Sequence, residues 1–165
     1  MKRIRIFSVL LFAIVCFYGT TYSQDVTMIT TPEEMKAVIE ANKGSVILVN
    51  FWATWCPPCV KEFPDIMKLN KEYSDKGLKV VFVSLDDASE TESKLKPFLK
   101  KQGVDFVTYQ GIFPKPEDLT DVIDKSWGGE IPVTYFYDQE GKKATSFSGS
   151  KKYEEFEKEV LKLIK

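Results

Sequence analysis

The sequence contains no histidine among its 165 residues, and this absence removes several kinds of active site at once. Ser-His-Asp and Cys-His catalytic sets both use an imidazole as the base, so neither is available here. An excess of charge of one sign is also missing, because 23 basic residues face 24 acidic ones. The balanced charge gives no support to a broad nucleic-acid-binding surface, and we expect no nucleic-acid partner.

Cysteine is scarce as well, with Cys16, Cys56 and Cys59 as the three examples. A structural zinc site takes about four ligands, and two neighbouring cysteines without histidine do not supply them. Covalent haem attachment needs a histidine directly after the second cysteine, where this sequence has Val60. We therefore predict neither a metal site nor a cofactor, and any redox chemistry falls to the cysteines themselves.

The first 23 residues have the layout of a secretory signal peptide. Three basic residues precede an apolar stretch over residues 6–18. Two small residues, Thr21 and Ser23, lie before a possible cut ahead of Gln24, where a signal peptidase needs small side chains. We therefore predict a signal peptide over residues 1–23.

The remaining chain, residues 24–165, is predicted to be one exported domain. An uncleaved membrane anchor and a lipid-modified Cys16 are the alternatives to cleavage. In each case the domain would lie outside the cytoplasm, in the periplasm or an equivalent extracytoplasmic space. Cys56 and Cys59 would then lie in a compartment where disulfides form and persist.

Apolar residues recur with the periods of strands and helices in alternation along this domain. The run 46–52 is apolar except for Asn50, which suits a strand buried on both faces at the centre of a sheet. The predicted order is βαβαβ, an inserted αβ segment over about 86–109, then αββα, which is typical of a single α/β domain. The expected strands are 26–30, 46–52, 78–85, 104–109, 133–137 and 143–148. The expected helices begin at Pro32, near Cys59, at Ser89, at Pro116 and near Tyr153.

One short motif carries the chemical prediction. It consists of Trp55, Cys56, Pro57, Pro58 and Cys59, directly after the central apolar run and at the start of a helical pattern. Cys56 would lie at the helix start, where unpaired N–H groups and the positive end of the dipole favour a thiolate. A cysteine with a pKa of about 8.5 is roughly 3% ionised at neutral pH, whereas one with a pKa lowered to about 7 is close to half ionised.

The two cysteines together predict thiol-disulfide exchange. Cys56 is the candidate nucleophile that forms a mixed disulfide with a protein substrate, and Cys59, one turn later, is the candidate that resolves it. Pro57 and Pro58 stiffen the ring between the sulfurs and remove two N–H donors. Trp55 offers a flat apolar surface for a partner chain, with simple packing as the alternative.

The motif and its surroundings resemble the thioredoxin superfamily. The resemblance rests on the sequence VNFWATWCPPC at 49–59, on Pro64, and on Ile131 and Pro132 with the two residues after them. It extends over nearly the whole chain beyond the leader. The export signal, the inserted segment and Asn50 are most similar to the bacterial extracytoplasmic TlpA/ResA/DsbE group.

This resemblance implies a thioredoxin fold, which is a central mixed β-sheet flanked by helices, with the inserted αβ segment before the strand that follows a cis-proline. It implies that Pro132 is this cis-proline and that the Ile131 backbone pairs with substrate. It also implies an extracytoplasmic thiol-disulfide oxidoreductase, often a reductant of apocytochrome c or other exported proteins. The implied partners are protein thiols and disulfides, and an upstream electron donor in the membrane or periplasm.

One position departs from cytoplasmic thioredoxins, which are similar but have an aspartate where this chain has Asn50. An amide donates and accepts hydrogen bonds but cannot take up the proton of Cys59. Some members of the secreted group carry an acidic residue just after the next strand, where this chain has Asp86 and Asp87. We favour Asp87 as the supporting acid, with a solvated turn residue as the alternative.

Other interpretations remain open at this point. A purely structural disulfide is disfavoured, because a bond that closes so short a loop restrains little unfolded-chain entropy. A non-catalytic binding module would not need both cysteines, and a thiol peroxidase would have a threonine three residues before the reactive cysteine, whereas Thr54 lies two before Cys56. We favour a reductase over an oxidase or isomerase, because no histidine lies between the cysteines. We expect a monomer, since the chain has no room for a separate dimerisation domain.

Overall fold

The structure, a computed structural model, describes residues 25–164, so the predicted signal peptide lies outside the described residues. The strands are β1 (Val26–Ile29), β2 (Val46–Trp52), β3 (Leu78–Ser84), β4 (Thr108–Gly111), β5 (Val133–Tyr137) and β6 (Lys143–Ser148). The α-helices are α1 (Pro32–Ala41), α2 (Pro57–Tyr73), α3 (Lys96–Lys101), α4 (Pro116–Ile123) and α5 (Tyr153–Leu163). None of the helices in the described part of the chain has the length and apolar character needed to cross a membrane.

The strands form one mixed sheet in the order β1-β4-β3-β2-β5-β6. The central strand β2 runs parallel to β3 on one side and antiparallel to β5 on the other. All seven residues of β2 are buried, as its apolar run predicts, because a strand in the middle of a sheet covered on both faces has no solvent side. The predicted thioredoxin fold is confirmed, with helices on both faces and the inserted segment before β5.

Two apolar cores lie on the two faces of this sheet. Because alternate residues of a strand point to opposite faces, Leu48 and Trp52 pack with α2 and α5, whereas Val49 and Phe51 pack with α1 and α4. Ile131, just before β5, contacts both cores. The carboxyl ends of β2 and β3 and the start of β5 meet at one edge of the sheet, and the cysteine motif lies at this edge.

Local sequence signals account for the beginnings and ends of the first two helices. Thr31 caps α1, accepting a hydrogen bond from the Glu34 N–H at 3.2 Å, and the Glu34 carboxylate accepts one from the Thr31 N–H at 3.1 Å. This reciprocal pair is the capping box that the sequence predicts. Helix α2 continues through Pro64 to Tyr73, and the chain then turns at Gly77, where φ is +94°.

The inserted segment differs from its prediction at its first half. Instead of one helix opened by Ser89, residues 88–90 form a 3₁₀ turn, Thr91–Leu95 form a π-helix, and α3 follows. The side chain of Asp87, rather than that of Ser89, caps the 3₁₀ turn. Pro97 lies at the second position of α3 and has no N–H to continue an α-helix from the preceding turn, so the regular helix begins only there.

The second half of the inserted segment is shifted along the chain. The strand expected at 104–109 is β4, which pairs with β1 from Thr108 onward. Val104 is buried without belonging to the strand, and its N–H donates to the Leu99 carbonyl, which closes the end of α3. The apolar pattern around Val104 thus reflects packing of the end of α3 against the core, not pairing of a strand.

Candidate active site

Cys56 and Cys59 form a disulfide at the sheet edge where β2 ends. Their sulfurs are 2.05 Å apart and their Cα atoms 5.3 Å apart. The exposed fraction is 4% for Cys56 and 1% for Cys59, whereas the neighbouring Trp55 is 59% exposed. Both cysteines belong to the core on the α2 side, and Cys56 is slightly the more accessible partner, next in sequence to a large exposed aromatic ring.

The sulfur of Cys56 caps the start of α2. Cys56 is the N-cap residue, and its Sγ accepts a hydrogen bond from the Cys59 N–H at 3.3 Å. Pro57 and Pro58 occupy the first two helical positions and have no N–H. The first N–H that the helix offers is consequently that of Cys59, and it points at the Cys56 sulfur. This contact and the positive end of the helix dipole both favour a thiolate at that sulfur.

Opposite the disulfide, the Ile131–Pro132 peptide bond is cis, as the resemblance implies. The Ile131 carbonyl oxygen lies 3.8 Å from the Sγ of Cys56. Pro132 is buried, and its carbonyl accepts a hydrogen bond from the Gly149 N–H at 2.9 Å, which ties it to the end of β6. The fold thus brings Ile131 and Pro132 to the cysteine pair from a distant part of the chain.

A buried carboxyl group lies one helical turn after Cys59. Glu62 is 2% exposed, and its two oxygens accept hydrogen bonds from Asn50 Nδ2 and from the Lys151 N–H, each at 3.0 Å. Asn50 Nδ2 also donates to the Thr134 hydroxyl at 2.9 Å. Burial raises the pKa of Glu62 to about 7, although the two hydrogen bonds favour the charged form and limit the rise.

Sequence reasoning missed Glu62, although a signal for it was present. Glu62 lies three residues after Cys59 and four before Ile66, so that helical spacing places it on the buried face of α2. Asn50 of the central strand cannot titrate, but its amide donates a hydrogen bond to the carboxyl group of Glu62 on the facing helix.

The two aspartates after β3 have different surroundings. The side chain of Asp87, the predicted supporting acid, is exposed, and its Oδ1 accepts hydrogen bonds from the Ser89 N–H at 2.8 Å and the Ser89 hydroxyl at 2.6 Å. These donors lower the pKa of Asp87, which makes it a poorer proton acceptor. Asp87 thus has the contacts of a turn residue, which is the alternative that the sequence left open. Asp86 is the buried one of the two, with 1% exposure.

A cavity of about 390 Å³ lies on the sheet face that α1 and α4 cover. Its lining includes Leu85, Gly111, Phe113, Leu119, Trp127 and Gly129. The Trp127 indole N–H donates to the Glu130 carbonyl at 2.8 Å, which fixes the loop leading to Ile131. The segments around Phe113 and Trp127 therefore border a common cavity, and Trp127 connects it to the loop before the cis-proline.

Comparisons with known proteins show similarity along most of the chain. The family model described as Redoxin matches residues 21–153. The thiol-disulfide oxidoreductase ResA of Bacillus thuringiensis subsp. konkukian (strain 97-27) is 33% identical over 138 residues, which are 83% of this chain and 73% of that protein. The thioredoxin-like protein YneN of Bacillus subtilis (strain 168) is 37% identical over 106 residues, which are 64% of this chain and 58% of that protein.

Solved structures give the same result at the level of the fold. A thiol:disulfide interchange protein of the thioredoxin family from Chlorobium tepidum TLS matches with a TM-score of 0.63 at 26% identity, over 76% of this chain and 84% of that chain. A DsbF homologue from Corynebacterium diphtheriae matches with a TM-score of 0.64 at 21% identity, over 76% of each chain. The second likeness shows a shared fold alone.

Proposed function

The chain belongs to the Redoxin family and is a thiol-disulfide oxidoreductase of the ResA/DsbE type, and we propose that it reduces disulfides in exported proteins, for example in apocytochrome c. The observation that carries this proposal is the Cys56–Cys59 disulfide at the start of α2, with the more accessible sulfur next to the Ile131 carbonyl. A nucleophilic sulfur at a helix start and a second sulfur one turn away are the parts that disulfide exchange needs.

In the proposed reaction the reduced protein donates two electrons to the substrate. The Cys56 thiolate attacks one sulfur of a substrate disulfide, which forms a mixed disulfide and releases the other substrate sulfur as a thiolate that takes up a proton. Cys59 then loses its proton and attacks the Cys56 sulfur, which releases the second substrate sulfur. The product is the disulfide present in the structure, and an upstream donor in the membrane or periplasm reduces it again.

Glu62 is the proposed acceptor of the proton that Cys59 loses. The two residues are one turn apart on the buried face of α2, and both are nearly inaccessible to water. A carboxyl group whose pKa is about 7 is close to half ionised at neutral pH, so that it can accept a proton and release it again. Asn50 and the Lys151 N–H hold its two oxygens in place.

The substrate chain is proposed to lie along Ile131 and over Trp55. The Ile131 carbonyl is next to the reacting sulfur, so a strand-like partner would bring its own sulfur to Cys56. Trp55 presents an exposed ring of the kind that is enriched where proteins bind one another. The buried Pro132 is proposed to hold the Ile131 backbone in position.

The number of donors around the Cys56 sulfur favours the reductase over an oxidase or isomerase. A pair becomes strongly oxidising when its reduced form is stabilised, as in DsbA. Here no histidine lies between the cysteines, and the two prolines place no N–H at the first two positions of α2. A thiolate with this modest stabilisation corresponds to a more reducing potential.

The proposed site of action is outside the cytoplasm. The leader over residues 1–23, with its basic start and apolar stretch, supports export of the domain, either released or tethered by its N-terminus. Disulfide substrates are found in such compartments, and a monomer acting on protein thiols needs no further partner than its electron donor.

Reduction of insulin with dithiothreitol as the electron source tests the proposal. The wild type is expected to catalyse the reaction, Cys56→Ser to abolish catalysis, and Cys59→Ser to accumulate a mixed disulfide with substrate, because no second sulfur resolves it. The measured potential of the pair is expected nearer to about −270 mV than to about −120 mV. Full turnover in both cysteine variants contradicts the exchange mechanism, and a potential near the upper value supports the oxidase instead.

A further inference from the structure

A second buried carboxylate lies beside the cysteine motif and has no part in the reaction described above. Asp86 is 1% exposed and follows the end of β3. Its Oδ2 accepts hydrogen bonds from the Thr54 N–H at 3.0 Å and the Ser84 hydroxyl at 2.6 Å, and its Oδ1 accepts one from the Thr54 hydroxyl. A carboxylate so deeply buried is stable only where donors replace the water it has lost, and these three groups do so.

Thr54 lies two residues before Cys56, in the turn that connects β2 to α2. Asp86 holds both the backbone and the side chain of Thr54. At the base of the same turn, the Leu85 N–H donates to the Trp52 carbonyl at 2.7 Å. The end of β3 therefore fixes this turn at two points, and the path of the turn determines where the Cys56 sulfur lies relative to the helix.

The inserted segment in turn holds Asp86. Gln110 of β4 is fully buried, and its Nε2 donates to the carbonyl oxygens of Asp86 and Asp87, each at 3.1 Å. Its Oε1 accepts a hydrogen bond from the Thr91 hydroxyl at 2.7 Å. Thr91 opens the π-helix, an irregularity that is frequent near functional sites. A continuous set of buried hydrogen bonds thus joins the inserted segment to the turn before Cys56.

From this geometry we propose that Asp86 is a positioning residue for the reaction at Cys56. Asp86 acts by holding Thr54 rather than through its negative charge. The proposal rests on the proposed exchange at that sulfur. The two modes of action predict opposite effects on the stability of the Cys56 thiolate when Asp86 is replaced. Without the bonds to Thr54, the Cys56 sulfur is less well placed against the Cys59 N–H, so the thiolate is disfavoured, whereas loss of the charge alone would favour the thiolate.

The test is the rate at which iodoacetamide alkylates Cys56 in the fully reduced protein, measured as a function of pH. Asp86→Ala removes all bonds to Thr54 and is expected to slow alkylation at neutral pH about fivefold, with the profile moved to higher pH. Asp86→Asn keeps an oxygen for Thr54, and its amide can donate to the Ser84 hydroxyl. It is therefore expected to restore the rate to within about twofold of the wild type.

The matched control is Asp87→Asn, which removes the same charge one residue away, at the exposed turn. It is expected to leave the alkylation profile unchanged. Because Asp86→Ala leaves buried donors unpaired and is at risk of misfolding, a second pair of variants tests the same contact from the turn. Thr54→Val is expected to slow alkylation about twofold, whereas Thr54→Ser, which keeps the hydroxyl, is expected to behave as the wild type.

Wild-type alkylation in folded Asp86→Ala and in Thr54→Val overturns the proposal. Faster alkylation in both Asp86 variants overturns it as well, because it assigns the effect to charge. The alkylation rate does not depend on whether the wild type reduces insulin. Failure of the reductase proposal therefore appears in the insulin assay of the wild type alone, separately from this result.

Discussion

In the proposed reaction, Asn50 and Glu62 share the tasks that one buried acid would otherwise perform. In that reaction the carboxyl group of Glu62 would carry the proton, and the amide of Asn50 donates a hydrogen bond to it from the central strand. Burial of a carboxylate costs free energy unless its oxygens are bonded, and both oxygens of Glu62 have a donor. The remaining cost of burial raises the pKa of Glu62 to about 7, in the range where a proton acceptor for a thiol is most useful.

Glu62→Gln is expected to slow insulin reduction at neutral pH at least about tenfold, because the amide cannot accept the proton of Cys59. In the wild type the rate should rise as the pH increases through about 7, since the ionised form of Glu62 is the acceptor. The contribution of Glu62 to this step should be absent from the pH profile of the variant, which keeps the rise that comes from ionisation of Cys56. Asp65→Asn, on the same helix, is the control and should keep the step. A wild-type profile in Glu62→Gln would assign the proton to another group.

Cys56, Cys59 and Pro132 could be predicted from sequence because their roles depend on local spacing or on a motif. For Glu62 the helical spacing indicates a buried position, and Asp86 is one of two neighbouring acids, but nothing within either segment shows that a buried acid finds donors there. Their burial depends on donors that lie far along the chain, and for Glu62 one of them is 89 residues away. Residues 86 and 87 are both acidic, so only the path of the chain after β3 decides which one points inward.

The first turn of helix α2 determines how strongly the Cys56 thiolate is stabilised. An N-cap side chain accepts hydrogen bonds from the N–H groups at the second and third helical positions. Pro58 occupies the second position and removes that donor, whereas Cys59 occupies the third and supplies its own. Pro57, at the first position, removes an N–H that would not reach the sulfur.

Pro58→Ala is therefore expected to add a donor to the Cys56 thiolate. One such hydrogen bond should lower the pKa of the Cys56 thiol and raise the redox potential by about 10 to 30 mV. Pro57→Ala is the matched control, because it relaxes the same ring without adding a donor within reach. The measurement is equilibration of both variants with glutathione. Equal potentials in the two variants would show that ring stiffness, rather than the missing donor, sets the value.

The elements themselves were predictable where the pattern was unambiguous. The run that forms β2 and the β5–β6 hairpin have the bounds that their apolar runs and turn residues predict. The inserted segment was less predictable, because Pro97 interrupts a pattern that otherwise fits one helix. Val104 is buried in the core just after α3, before β4 begins. Its apolar side chain therefore led to the prediction of a strand that starts too early.

For the whole molecule, Glu62 connects three parts of the fold. It lies on α2 and is bonded to β2 through Asn50 and to the segment before α5 through the Lys151 N–H. Its pKa is about 7 in the folded protein and about 4.3 in an unfolded chain. The folded state therefore binds this proton more tightly, and the stability that it contributes is present at low pH and lost as the pH rises through about 7.

Urea unfolding of the oxidised wild type and of oxidised Glu62→Gln measures this loss. Between about pH 5 and about pH 8 the wild type is expected to lose on the order of 2 to 3 kcal/mol relative to the variant. Groups that titrate equally in both proteins cancel in the difference. A difference that does not change with pH would mean that Glu62 is ionised in the folded protein over the whole range.

Two tryptophans lie close to the disulfide in sequence, and their surroundings differ. Trp52 is 1% exposed and shares the core of Cys59, whereas Trp55 precedes Cys56 and is 59% exposed. A disulfide quenches the fluorescence of a nearby indole by accepting an electron from the excited ring, and a pair of thiols does so less. The tryptophan fluorescence of the protein should therefore increase when the disulfide is reduced, so that its oxidation state can be followed by intrinsic fluorescence without an added dye.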